Sequence, residues 1–228
     1  MQAWLNQLHS TFIEGNNYLM LIDGIKNTFI ITIFALAIGF MIGILISVIK
    51  FFADGNRALK PLAWICNFYV TAIRGIPVVV LLLIFYFVIL KSSAGIVTAI
   101  VAFGINSGAY TAEIIRSGIA AVDFGQMEAA VSLGMPRLKA MVFIIMPQAI
   151  KNILPAIGNE MISLLKETSV AGYVAVQDLT RAANLIRNNT FDSFNPLMLT
   201  AVVYLSLVVI MTALLNKLEK HLHKSDRI

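Results

Sequence analysis

Four ionisable side chains stand inside stretches that are otherwise apolar: Arg74, Glu113, Lys151 and Glu160. A charge surrounded by hydrocarbon is costly, so such residues mark a binding site, a relay or an internal pair. Their neighbours supply further polar groups at helical spacing. Asn106, Tyr110 and Glu113 recur at i, i+4 and i+7, which puts them on one helix face. Asn152, Asn159, Glu160 and Ser163 make a second polar face, with Pro155 among them. Thr71 and Arg74 lie one turn apart, just before the helix-breaking trio Gly75-Ile76-Pro77. Arg74, or backbone amides freed at the break, could meet an anionic group, and Glu113 or Glu160 a cation. Two acidic groups favour a basic ligand over a neutral polar one. The plain alternative is internal pairing, Glu113 with Arg116 at i, i+3 and Lys151 with Glu160.

The elements that must hold these groups are legible from the bulk chemistry. Of 228 residues, 59% are hydrophobic and 13% charged, and mean hydropathy is +0.85. Globular domains carry about 45–50% apolar and about 25% charged residues. Positions 27–49 and 196–216 hold no charge at all, and 61–90 holds only Arg74. Runs of about 20 apolar residues match the thickness of a bilayer core. The expectation is an all-α integral membrane protein with about five spans, near 27–50, 61–90, 94–117, 141–165 and 196–217. A segment 1–26 would precede the membrane domain (27–217), and a basic tail (218–228) would follow it. Of the 17 lysines and arginines, ten fall on one side of such a topology, five on the other, and Arg74 and Lys151 within the membrane. The positive-inside rule then predicts the N-terminus outside and the C-terminus inside.

Several chemistries are absent. No GxxxxGK[ST] phosphate loop is present, so the chain does not hydrolyse ATP by that route. There is no HExxH, and the single cysteine, Cys66, cannot form an internal disulfide. His9, His221 and His223 lie near the termini and read as surface residues. No catalytic residue, metal site or nucleic-acid partner is expected. Two small-xxx-small pairs, Gly39/Gly43 and Gly104/Gly108, predict close helix packing within the subunit.

The loop between the third and fourth spans, about 118–140, is the most specific feature. It reads EAAVSLGMPRLKAMVFIIMP over 128–147. Met127 to Leu133 predicts a short helix lying along the cytoplasmic face, with Glu128 near its positive N-terminal end. Gly134 would end the helix in a left-handed conformation and Pro136 would prevent its continuation. Arg137 and Lys139 then stand at the membrane edge. Exposed Ala129, Ala130 and Ser132 would let a partner approach closely.

The same residues carry a family resemblance. Glu128-Ala129-Ala130, Gly134 and the terminal IIMP fit EAA-x3-G-x9-I-x-L-P, with Met146 in place of leucine. That loop resembles the one in membrane subunits of bacterial ATP-binding-cassette importers. YVTAIRGIPVVVLLLIFYF (69–87), with Ile76 for a usual threonine and Leu81 for a common glutamine, is similar to the polar amino acid permeases. So are GAYTAEIIRSGIAAVDFGQ (108–126) and LLKETSVAGYVAVQDL (164–179). The resemblance implies a type I ABC importer permease fold in a bacterial plasma (inner) membrane. It implies alternating access and a coupling helix, with Glu128, Ala129, Ala130, Gly134, Pro136 and Arg137 meeting an ATPase subunit. The partners it implies are that ATPase, carrying ATP and Mg, a second permease copy and an external solute-binding protein. The substrate would be a basic or other polar amino acid, bound by Thr71, Arg74, Gly75, Asn106, Tyr110, Glu113, Asn159, Glu160 and Ser163. No cofactor is expected on this chain itself. The rival readings are an ion-gradient-driven secondary transporter or channel, and a scaffolding membrane subunit.

Overall fold

A computed structural model describes residues 2–91 and 93–222, and every regular element among them is helical. In chain order they are α1 (Gln2–His9), α2 (Asn17–Ala53), α3 (Lys60–Gly75), α4 (Val78–Ile84), α5 (Gly95–Ala120), α6 (Phe124–Ser132), α7 (Arg137–Ala140), α8 (Met146–Glu167), α9 (Leu179–Thr190) and α10 (Phe194–Leu222). Most of the basic tail, 223–228, lies outside the described residues.

Four continuous helical stretches are long and apolar enough to cross a membrane: Asn17–Ala53, Gly95–Ala120, Arg137–Val174 and Phe194–Leu222. A broken pair, Arg57–Gly75 and Val78–Ile89, bent by 108°, makes a fifth where it counts as one span. The break falls where Gly75-Ile76-Pro77 predicts it, because proline cannot donate to the preceding turn and disfavours helix before it. Pro155, by contrast, sits inside α8 without ending it. The first span starts at Asn17 instead of 27. Its start is set by Asn16 in a left-handed conformation (φ 52°) and by Asn17, whose Nδ2 donates to the Thr11 carbonyl at 2.7 Å. The 1–26 stretch therefore holds ten residues of α2, Asn17 to Lys26.

The chain packs as two compact units. One comprises Met1–Ala37, Ile76–Gly104 and Ile162–Met211. Its core gathers Ile31, Leu82, Phe103, Leu164 and Val174, and a second cluster joins Phe12 and Leu21 to Leu179, Ala182 and Ile186. Two of its helix starts are capped by buried carboxylates. Asp178 accepts from the Thr180 and Arg181 amides ahead of α9. Asp192 accepts from the Phe194 and Asn195 amides ahead of α10, and from the Thr11 hydroxyl at 3.0 Å.

The other unit comprises Ile38–Gly75, Ile105–Met161 and Thr212–Ile228. Here α2 and α5 approach closely through glycine. A Cβ on Gly39 would stand 2.8 Å from the Ser107 side chain, and one on Gly43 would meet Thr111. Gly108 likewise leaves no room beside Ile42 and the Tyr69 hydroxyl. The small-residue pairs thus serve packing within the subunit at Gly39, Gly43 and Gly108. Tyr69 fixes α3 against α5 by donating to the Ile105 carbonyl at 2.6 Å.

Candidate functional site

Within the second unit, α3 and α5, with Lys50 of α2, line an open polar cavity of about 680 Å³. Its walls are Lys50, Asn67, Val70, Thr71, Arg74, Gly75, Tyr110, Glu113 and Arg116. Asn67, Thr71 and Arg74 are spaced by a turn on α3, so one face carries all three. Tyr110 and Glu113 stand one turn apart on α5. The Arg74 guanidinium lies over the Tyr110 ring, 5.3 Å from its centroid, a cation–π contact. Glu113 takes both teeth of a fork from Arg116: Nε donates to Oε2 at 2.9 Å, and Nη2 lies within hydrogen-bond reach of Oε1. Three cations and one carboxylate line the cavity, and the carboxylate is already held.

Five of the sequence-derived candidates, Thr71, Arg74, Gly75, Tyr110 and Glu113, meet at this cavity. Four do not line it. Asn106 is buried in α5, and Asn159 is an exposed residue of α8. Glu160 accepts a 2.8 Å bond from the Ser107 hydroxyl. Ser163 belongs to the other unit. Lys50 and Asn67 line the cavity without having been singled out in the sequence, and Arg116 was named only as a partner for Glu113. Asn67 was findable, lying at i−4 from Thr71. Lys50 carries no such signal, because α2 reaches this wall only through tertiary packing.

The loop that resembles a coupling segment has well-defined local geometry. Asp123 caps α6, accepting from the Gly125 amide at 2.7 Å. This corrects the expected start: the helix begins at Phe124, and Glu128 sits in its middle, too far in to serve its N-terminus. Asp123 wins because a short carboxylate just outside the first turn satisfies an otherwise unbonded amide. At the other end the Met135 amide donates to the Ala130 carbonyl and the Gly134 amide to Val131. With Gly134 at φ +83°, this is a Schellman stop. Pro136 opens α7, and Arg137 forms a 2.6 Å ion pair with Asp54 in the α2–α3 loop. Ala130 is buried, so it is withdrawn from any outer face, whereas Phe124, Val131 and Leu133 are exposed. Leu133 shows 89% of its surface.

Among the described residues no group of three or more His, Cys, Asp or Glu is placed to hold a metal ion.

Known proteins share this architecture. The arginine transport system permease protein ArtQ of Bacillus subtilis is 37% identical over 210 residues, covering 90% of this chain and 94% of its own. The probable glutamine ABC transporter permease protein GlnM of the same organism is 37% identical over 213 residues, covering 92% and 96%. A solved amino acid ABC transporter, crystallised with histidines, superposes with a TM-score of 0.85 at 38% identity, covering 92% of this chain and 98% of that one. The inward-facing MetNI methionine ABC transporter shares the fold at 20% identity and a TM-score of 0.75. Residues 39–224 match the family described as "Binding-protein-dependent transport system inner membrane component". With most of its length inside that match, and four or five candidate spans in a fold shared with a solved amino acid ABC transporter, this multi-pass chain belongs to the family of binding-protein-dependent inner membrane transport components.

Proposed function

We propose that the chain lines the translocation pathway of an ATP-driven importer for a polar amino acid and takes its energy from a separate ATPase through α6. The observation that carries this reading is the polar cavity: Arg74, Thr71 and Tyr110 converge on a space with room for an amino acid, in a chain of a binding-protein-dependent transport family. Arg74 would take the substrate carboxylate, since a guanidinium offers a fork of donors. The exposed Phe124, Val131 and Leu133 on α6 suit an ATPase docking there, with Ala129, Glu128, Gly134, Pro136 and Arg137 shaping the contact. ATP and Mg would sit on that partner, beside a second permease copy and an external binding protein. The N-terminal segment would lie outside, and the 218–228 tail in the cytoplasm.

The cavity charge argues on the substrate side chain. A cationic amino acid would face Lys50 and Arg74 with Glu113 already engaged by Arg116, so a neutral polar side chain such as glutamine's fits best. The second reading, a basic substrate, draws on the arginine permease among the relatives. Glu113 would then have to exchange Arg116 for the substrate.

Reconstitution into vesicles with and without the ATPase partner tests the proposal. Uptake of a polar amino acid is expected only with the partner and hydrolysable ATP. Uptake by the chain alone, driven by an ion gradient, would overturn it and restore the secondary-transporter reading.

A further inference from the structure

The second unit holds another cavity, one lined almost wholly by hydrocarbon, whose side cavity shares Lys50 and Arg116 with the polar one. A groove of about 480 Å³ runs between the later turns of α2, the end of α5 and the segment from α7 into α8. Phe40, Ile44, Phe51, Ile119, Met141 and Ile153 are among its walls. Its one polar side chain, Ser47, already donates to the Gly43 carbonyl at 2.8 Å. The walls therefore offer a ligand nothing but hydrocarbon contact.

One end of the groove is different. A side cavity of about 150 Å³ shares Ser47, Phe51, Ile119 and Met141 with it and adds Lys50 and Arg116. Arg116 is forked onto Glu113, whereas Lys50 has no ion pair among the described residues. Arg57 and Lys60 follow α2, and Lys139 follows Arg137, whose own charge is matched by Asp54. A hydrocarbon slot is thus flanked by a lysine through the side cavity.

We propose that this groove binds an acyl chain of an anionic phospholipid whose phosphate is met by Lys50. The charge balance commits the site to that occupant. A zwitterionic lipid offers the same chain but brings a cation of its own toward the cation at the groove end. Basic pockets between membrane helices select acidic headgroups for this reason. The inference holds whatever amino acid is carried.

The test replaces Trp4 and Trp64 with phenylalanine and reports from the groove through Ile150→Trp. Fluorescence is read in phosphatidylcholine vesicles containing a minor fraction of either brominated phosphatidylglycerol or brominated phosphatidylcholine. One lysine near the surface favours the acidic lipid about fivefold, so quenching at a given fraction should be correspondingly stronger with brominated phosphatidylglycerol. Lys50→Gln should erase that preference. A reference tryptophan by Val209→Trp, on the exposed side of α10, should be quenched equally by both and confirm insertion. Equal quenching of the groove probe by the two lipids would reduce the groove to ordinary lipid-facing surface and overturn the proposal. So would retention of the preference in Lys50→Gln. Absence of quenching by either lipid would mean that protein, such as a second copy, fills the groove, and would overturn it too.

Discussion

Arg74 and Glu113 share a cavity but are held in unlike ways: Arg74 rests on an aromatic face, and both Glu113 oxygens are engaged by Arg116. Arg74 is thus the more available for a ligand carboxylate. A hydrogen bond to a charged group contributes about 1.5–3 kcal/mol, so Arg74→Gln should raise the KM for uptake at least about tenfold. Arg74→Lys should recover only part of this, because an ammonium cannot reproduce the planar fork or its stacking on Tyr110. If Arg116 is what denies Glu113 to cationic ligands, Arg116→Met should increase inhibition of uptake by arginine relative to glutamine. Unchanged competition would remove Glu113 from the substrate site. Outside the spans, burial pushes the Asp178 carboxyl up to about 6, despite amide bonds from Thr180 and Arg181 that favour its charged form. The folded state therefore holds this proton more tightly than the unfolded one. The resulting stability is complete below about pH 4 and is lost as pH rises through about 6. At about 1.4 kcal/mol per unit, the window spans about 2–3 kcal/mol. The thermal midpoint should fall between pH 4.5 and 7, and Asp178→Asn should flatten the dependence.

At the scale of elements, the short helix α6 is defined at both ends by local chemistry, an aspartate cap and a glycine stop. Gly134 has open space around it, so an added Cβ meets nothing within 4 Å. The conformation is the constraint: left-handed backbone costs an ordinary residue about 1–2 kcal/mol, and proline cannot adopt φ +83° at all. Gly134→Asp and, more strongly, Gly134→Pro should abolish substrate-stimulated ATPase activity in the assembled transporter while the chain still inserts. Full stimulation in Gly134→Pro would show that α6 does not transmit. The α2–α5 contact obeys the opposite logic, with ordinary backbone and no space. Gly43→Val should lower thermal stability by about 1–3 kcal/mol through overpacking against Thr111, and Thr111→Ala should restore part of the loss. Much at this scale was readable in advance. The break at Gly75-Ile76-Pro77 and the stop at Gly134 follow from single residues whose backbone preferences admit few alternatives. The start of α6 was misread, because Asp123 is an ordinary-looking aspartate until its carboxylate is seen on the Gly125 amide.

For the molecule as a whole, four or five candidate spans without a phosphate loop suit a subunit that receives its energy from another polypeptide. The comparison of ATP-driven with gradient-driven uptake is the test at this scale. Composition and long apolar runs determined the solvent of this protein, since that depends on summed hydrophobicity over about 20 residues. The local breaks and the family motif were likewise written in consecutive residues. Helical periodicity also placed Thr71 beside Arg74 and Tyr110 beside Glu113. It could not say what those faces meet. Tertiary packing decided that Lys50, from a helix about twenty residues earlier in the chain, joins Arg74 and Glu113 at one cavity. It also decided that Glu160 takes the Ser107 hydroxyl away from that cavity. The physical reason is that spacing along a helix fixes which side chains share a face, while the partner across that face exists only once helices distant in sequence come together.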